Sequence, residues 1–244
     1  MSRFDDLPGY AASIASLIDA VNLGVHIASR PLSRELAERS GLQTDLLADL
    51  RFVLPARPLT PGGLAALYRY NPFDRSEIDV QIAQGTLVAG DDGTLRATAT
   101  ALSFIASLYE AHAAVTGELW AAQADRLPEL ADLAGRLLEA GGGAGGGGGA
   151  AFAQASPPHE PAGTPPGVLL FNRLAVLRYH RADAHADAWA REGLTAAQII
   201  ALPPGPARDR IEAETNRRAA RPYESLTTRD RQALLLGLSA LDLP

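Results

Sequence analysis

The sequence predicts a mainly α-helical protein with one two-stranded β-hairpin and a C-terminal helical block. The chain is 47% hydrophobic but only 6% aromatic, and its apolar residues recur at helical spacing between capping residues. The stretch "TLVAGDDGTLRAT" has two strand-like runs around turn residues. The tract "GGGAGGGGGA" divides the 244 residues. We expect a helical domain over residues 1–140, a Gly/Pro-rich linker over 141–166, and a helical block over 167–244 that packs on the first domain.

The first domain begins with a strongly apolar helix. The segment "YAASIASLIDAVNLGVHIA" has apolar residues on nearly every side, as a buried helix would, and we expect Pro31 to interrupt it. The next segment, "LSRELAERSGLQTDLLADL", offers Ser33 as a cap and Gly41 for a tight turn, with leucines at fixed spacing around them. This pattern is typical of a helix-turn-helix.

Three more helices and the hairpin follow, and "RLPELADLAGRLLEA" closes this domain as an amphipathic helix. Pro61 stands at the first turn of the helix "TPGGLAALYRY", and "SEIDVQIAQ" forms the next helix. The strands "TLVAG" and "TLRAT" flank "DDG", so the hairpin lies between about 86 and 98, and a long helix follows to about 123. The predicted caps of these helices are Thr60, Asp74 or Ser76, and Thr98 or Thr100.

Residues 14–111 therefore resemble a winged helix-turn-helix domain, with the hairpin as the wing. The resemblance is strongest to MarR-type regulators and to the dimerisation domains of small-molecule O-methyltransferases. One departure is the long segment between the helix-turn-helix and the hairpin, where the usual pattern has only a few residues. The resemblance implies DNA binding by the second helix and the wing, and the candidate contacts are Gln43, Thr44, Arg51 and Arg96.

Charge argues against DNA as the partner. Asp45 and Asp49 lie on the outward face of the predicted recognition helix, and the wing tip "AGDDGT" is also acidic. Because DNA affinity depends on neutralising phosphates, these carboxylates would oppose it. A winged helix used for packing or dimerisation is the alternative.

The C-terminal block contains the most polar helix of the chain. "GVLLFNRLAVLRYHRADAHADAWARE" lacks proline and glycine after its first residue, which predicts one helix across it. Its core stripe is Leu170, Leu174, Leu177, Ala184 and Ala188. Arg181 falls near that stripe, so it needs a carboxylate, either from an acidic ligand or from an internal ion pair with Asp183, Asp187 or an acid of the first domain.

We predict a pocket between this helix and the mixed face of the helix over residues 99–123. It would hold a small organic molecule that is acidic or aromatic. Its predicted residues are Tyr109, His112, Trp120, Tyr179, His180, Arg181, Asp183, His185 and Trp189. His180 and His185 are five residues apart and cannot readily share a metal ion, unlike histidines at i,i+4. His180 with Asp183 and His112 is a less favoured metal set, and we assign no metal.

Residues 169–226 resemble an actinobacterial group of helix-turn-helix proteins of unassigned function. The similarity rests on "HRADAH" and on the later "IEAETN", where Asn216 stands in place of that group's aspartate. It implies a shared fold and a shared pocket helix, but no activity.

Three functions remain open at this point. The first is a small-molecule-binding winged-helix protein that acts as a ligand-responsive regulator of transcription. The second is a DNA-binding repressor of the MarR type, and the third is a lyase, cyclase or hydrolase of secondary metabolism. No catalytic or cofactor motif is visible, so we expect no cofactor.

Composition and the C-terminal helix predict the setting of the protein. The chain has no cysteine, a net charge of -6, no signal-peptide pattern and no apolar run of about 18 residues, so we expect a cytoplasmic protein with no membrane partner. The final helix carries an apolar stripe that we expect to be buried against the first domain or in a homodimer. The stripe is Leu234, Leu235, Leu236 and Leu238.

Overall fold

The computed structural model describes residues 4–71 and 74–244. In these ranges the chain is mainly helical, with eleven α-helices and one antiparallel sheet of two strands, β1 (Leu87–Ala89) and β2 (Leu95–Ala97). Two 3-10 helices cover Ala121–Arg126 and Arg221–Ser225. The α-helices are α1 (Leu7–Ser40), α2 (Asp45–Asp49), α3 (Pro61–Leu67), α4 (Arg75–Ala83), α5 (Ala99–Leu119), α6 (Leu127–Gly142), α7 (Ala150–Ala155), α8 (Pro166–Arg191), α9 (Ala196–Ala201), α10 (Pro206–Ala219) and α11 (Thr228–Ser239).

The hairpin and the starts of α3, α4 and α5 lie where the local sequence placed them. Leu87 pairs with Ala97 and Ala89 with Leu95, around a turn in which Gly93 has a φ of 76°. That left-handed conformation strains any residue with a Cβ atom, which explains the "DDG" sequence. The side chains that cap α3, α4 and α5 by accepting backbone hydrogen bonds are Thr60, Asp74 and Thr98.

Helix α1 is one helix of 34 residues, so the prediction that Pro31 interrupts it was wrong. Pro31 has no N–H to donate to the carbonyl group of Ile27, four residues earlier. Both residues are exposed, so water can serve that carbonyl group and the helix continues. Ser33 consequently lies inside α1 and does not cap a new helix.

Helix α1 also corrects the expectation about apolar runs. It is long and apolar enough to cross a membrane by length and composition, although a buried core helix passes the same test. Its apolar residues Ile14, Val21 and Val25 are almost completely buried in the core.

The turn after α1 is as predicted, but the second helix is short. Gly41 adopts a left-handed φ of 66° and donates its backbone N–H to the carbonyl oxygen of Ala37, which ends α1. Helix α2 has only five residues, and its leucines Leu46 and Leu47 are buried. It is followed by turns that run inward, where Phe52 and Val53 join the core.

Helix α8 is the centre of the fold and packs against α1, α5, α6, α7 and α10. Its predicted core stripe is confirmed, because every member is at most 5% exposed. The helix is surrounded on most sides, so its buried polar residues, such as His180 and Asp183, must have protein partners. Its stripe comprises Leu170, Leu174, Leu177, Ala184 and Ala188.

Residues 141–166, which the sequence predicts to be a flexible linker, are folded against the rest of the chain. The segment contains α7, in which Phe152 and Ala155 are buried. Its glycines let segments of backbone approach each other closely, because a Cβ atom on Gly146 would lie 2.0 Å from the carbonyl oxygen of Ala140. The tract "GGGAGGGGGA" is therefore a site of close packing, which composition alone does not distinguish from a tether.

The apolar stripe of α11 is largely buried within the chain. Leu234 and Leu238 are at most 2% exposed, and Leu130 of α6 lies against Gly237. This fits the predicted burial against the first domain. Leu236 is 46% exposed, and a homodimer remains a prediction.

Candidate functional site

The nine residues predicted to share one pocket lie in four separate places. Tyr109 and His112 belong to the inner face of α5, and Trp120 lies at its end, where its indole N–H donates to the carbonyl oxygen of Asp242 at 3.0 Å. Tyr179 lies with its ring centre 6.5 Å from that of Phe52. The other five are divided between two faces of α8, described next, so the structure does not form the predicted pocket.

Arg181, His185 and Trp189 face α10 and residue 70. Arg181 forms an ion pair with Glu212 at 3.4 Å, so its carboxylate comes from the protein, although from α10 and not from the acids that the sequence suggested. The hydroxyl group of Tyr70 is 2.9 Å from His185 Nδ1 and accepts a hydrogen bond from the Trp189 indole at 3.2 Å. These contacts join α8 to α10 and to the residues after α3.

His180 and Asp183 hold the glycine-rich segment in place. His180 Nε2 lies 2.9 Å from the carbonyl oxygen of Gly146. One oxygen of Asp183 accepts the backbone N–H groups of Gly149 at 3.0 Å and Phe152 at 2.8 Å, and the other pairs with Arg69. Among the described residues no group of three possible ligands could hold a metal ion, and His112 lies elsewhere.

Arg51 was predicted to face DNA, and the structure contradicts this: its side chain is 1% exposed. The chain turns inward directly after α2, and the guanidinium group lies 4.3 Å over the ring of Phe171. Nη1 donates to the carbonyl oxygen of Ala48 at 2.8 Å, and Nη2 donates to Asn172 Oδ1 at 3.0 Å. Gln43 and Arg96 are exposed, and Thr44 is half-buried.

Arg51 forms no direct ion pair with any described residue, although the charge of Asp49 is near enough to interact with it. Within residues 4–71 and 74–244, no carboxylate lies within 4.0 Å of its guanidinium group, and Nε has no hydrogen-bond partner. Burial lowers the pKa of Arg51 to about 10, which still leaves it protonated at neutral pH. A buried, charged guanidinium that binds only neutral groups is uncommon, because its lost hydration is normally offset by an anion.

Two cavities meet at Arg51. The outer cavity, about 640 Å³, lies between α1 and α2, and the inner cavity, about 310 Å³, lies between α8 and residues 66–71. Three residues line both: His26, Asp49 and Arg51. The guanidinium group is thus covered by protein but placed beside space large enough for a small molecule.

The polar groups around Arg51 include neutral donors and acceptors as well as the carboxylate of Asp49, which lines the same two cavities. His26 and His112 each contact the ring of Phe171, with ring centres 5.1 Å apart. Burial first, and then the positive charge of Arg51, lower the pKa of His26 to about 4 and that of His112 well below its usual value. His112 Nδ1 and Asn22 Nδ2 are buried and, like Arg51 Nε, have no hydrogen-bond partner in the described part of the chain. Such unpaired atoms are rare in folded proteins. Arg181 Nη1 and His185 Nε2, on another face of α8, are also without a partner among the described residues.

A chain of hydrogen bonds connects Arg51 to the proline-rich loop between α7 and α8. Asn172 accepts from Arg51 and donates through Nδ2 to the hydroxyl group of Tyr109 at 3.1 Å. Tyr109 in turn donates to the carbonyl oxygen of His159 at 2.6 Å. Tyr109 therefore belongs to the surroundings of Arg51, and not to those of Arg181.

Sequence reasoning missed this site for an identifiable reason. Arg51 stands between Leu50 and Phe52 in the largely apolar run "LLADLRFVL", and Asn172 directly follows the apolar run "GVLLF". A polar residue that adjoins an apolar run in this way is the available signal for a buried polar group, but it is much weaker than the signal of the histidine-rich helix. No protein-family model, curated protein or solved structure matches this chain.

Proposed function

We propose that the protein binds a small organic acid whose carboxylate contacts Arg51. The observation that carries the proposal is a buried guanidinium group with no carboxylate within 4.0 Å in the described residues and with cavity space beside it. A bound carboxylate would supply the missing negative charge, and the unpaired Nε would supply one of its hydrogen bonds.

The surroundings favour an acid with an apolar or aromatic body. Phe52 and Tyr179 line the inner cavity, and Leu23 and Ala48 line the outer one. The two volumes fall near the range of about 300–1,000 Å³ that is usual for small-molecule sites. The class of ligand that the sequence suggested is retained, but its position moves from Arg181 to Arg51.

The winged-helix interpretation is part of this proposal, with ligand binding as the primary activity. The turn at Gly41 and the hairpin support a winged helix. DNA reading by α2 is disfavoured because the helix has five residues and carries Asp45 and Asp49, and because Arg51 is buried. We propose that the regulatory ligand binds at Arg51, and that any contact with DNA uses another surface of the protein.

The proposal can be tested by titrating the protein with benzoate, salicylate and 3-phenylpropanoate, using benzamide as the uncharged control. We expect the acids to bind and benzamide to bind at least tenfold more weakly. Arg51→Met keeps the stem of the side chain and removes the charge, so it should weaken acid binding by roughly 10- to 100-fold, as expected for a charge-assisted hydrogen bond. Arg96→Met, at an exposed position of strand β2, should leave acid binding unchanged.

A second variant separates loss of binding from loss of folding. Asn172→Asp places a carboxylate where Asn172 Oδ1 now accepts from Arg51 at 3.0 Å, so it should neutralise the guanidinium group from inside the protein. The fold should survive and acid binding should fall as in Arg51→Met. The proposal fails if none of the acids binds to the wild-type protein at millimolar concentration, or if both folded variants bind them unchanged.

A further inference from the structure

Asp49 lines the same two cavities as Arg51, two residues away in the chain. Its carboxylate accepts a hydrogen bond from the hydroxyl group of Tyr68 at 3.3 Å. No described lysine, arginine or histidine lies within ion-pair distance of it. A negative and a positive group thus face the same space without neutralising each other directly.

In the outer cavity the basic and acidic side chains are also separated, because they lie on two different helices. Helix α1 contributes Arg30 and Arg34, which follow His26 at steps of four residues, and α2 contributes Asp45 and Asp49. In the described part of the chain none of these four forms an ion pair. The cavity therefore has a basic wall and an acidic wall.

This arrangement works against a simple carboxylate. An anion that approaches Arg51 also approaches Asp49, and the repulsion removes part of the attraction. A positive group on the same ligand would turn that repulsion into a second attraction. The unpaired arginines at the mouth, Arg30 and Arg34, would still draw in the acidic end.

We infer that the ligand carries a protonated amine as well as a carboxylate, as an amino acid does. This inference rests on the proposed function, because it takes the carboxylate of the ligand to contact Arg51. The amine would pair with Asp49, whose carboxylate is held by Tyr68. A ligand of this kind matches both walls of the cavity, whereas an acid or an amine alone matches one of them.

The test compares three molecules of one skeleton: L-phenylalanine, 3-phenylpropanoate and phenethylamine. By calorimetric titration we expect the wild-type protein to bind L-phenylalanine roughly tenfold more tightly than 3-phenylpropanoate, and phenethylamine most weakly. Asp49→Asn should then change the affinities for the two acids in opposite directions. It should weaken the binding of L-phenylalanine by about tenfold, because the amine loses its partner. It should strengthen the binding of 3-phenylpropanoate, because the carboxylate is no longer repelled by Asp49.

Two control variants make the result specific. Tyr68→Phe removes the hydrogen bond to Asp49 but keeps its charge, so it should preserve the preference for L-phenylalanine. Asp91→Asn removes an equal charge from the exposed hairpin turn and should leave all three affinities unchanged. Circular dichroism of each variant confirms that the helical fold is retained.

The outcomes distinguish this inference from the proposed function. If 3-phenylpropanoate binds as well as or better than L-phenylalanine, and Asp49→Asn strengthens both, the amine is not recognised and the inference is overturned, while acid binding at Arg51 stands. If no acid of either panel binds in a manner that depends on Arg51, the proposed function fails and the inference fails with it. Both proposals are supported if Asp49→Asn changes the affinities for L-phenylalanine and 3-phenylpropanoate in opposite directions and if these effects disappear in the Arg51→Met background.

Discussion

Replacing Asp183 with alanine should strongly destabilise the protein. Its side chain is 5% exposed, and it is the ion-pair partner of Arg69, which is itself only 15% exposed. It also accepts the backbone N–H groups of Gly149 and Phe152, which begin and continue α7. Alanine at this position would leave a nearly buried guanidinium group without its carboxylate and would release the donors that order residues 141–155.

The expected size of the effect follows from these contacts. Removing one partner of a buried ion pair costs about 3–5 kcal/mol, because the other charge remains buried. For a chain of this length each kcal/mol lowers Tm by about 2–4 °C. We therefore expect the midpoint of thermal unfolding to fall by about 6–20 °C in Asp183→Ala.

Thermal unfolding followed by circular dichroism, together with limited proteolysis, would measure this. Asp187→Ala is the matched control: it lies one turn further along α8 and pairs with Arg218 at 3.1 Å, but its side chain is 69% exposed. Such an exposed pair contributes about 0–1 kcal/mol. Proteases should cut the Asp183 variant near residues 141–155 before the wild-type protein. A loss in Asp183→Ala as small as that of the control would refute the assignment of Asp183 as the residue that fixes this segment.

Two further outcomes are expected. Gly237→Ala should destabilise the protein by about 1–3 kcal/mol, because the new Cβ atom would lie 2.4 Å from Leu130 Cδ2. Gly117→Ala, on the exposed side of α5 with nothing within 4 Å, should stabilise the protein by about 0.5–1 kcal/mol. Urea unfolding of both variants checks this, and equal effects on the free energy of unfolding would count against it. Burial lowers the pKa of His26 to about 4, so between about pH 6.5 and 4 the unfolded chain takes up a proton that the folded protein does not, and the urea midpoint should fall as the pH decreases through this range. His26→Gln should show a smaller fall, and an identical fall in both proteins would contradict this reasoning.

Much of the fold was predictable because it depends on neighbours in the sequence. A capping side chain such as Thr60 acts on a backbone N–H three residues away, and Gly93 permits its own turn. The apolar stripe of α8 follows from the 3.6-residue repeat of a helix. These interactions require no knowledge of which helices meet, so the hairpin, the caps and the core face of α8 could be predicted without the tertiary structure.

The candidate site was not predictable in this way. Arg51 reaches Asn172, which is 121 residues away, and Arg69 reaches Asp183 across 114 residues. The same separation explains the glycine-rich tract, whose order comes from His180 and Asp183 on a distant helix and not from its own composition.

The sequence by itself determined most of the helical segments, where the hairpin turns and which side of α8 is buried. The tertiary structure decided which polar residues meet, and therefore that Arg51 is enclosed while Arg181 is paired with Glu212. The physical reason is that secondary structure is set by hydrogen bonds and side-chain spacing over a few residues. The environment of a charge, in contrast, is set by how distant helices exclude water around it.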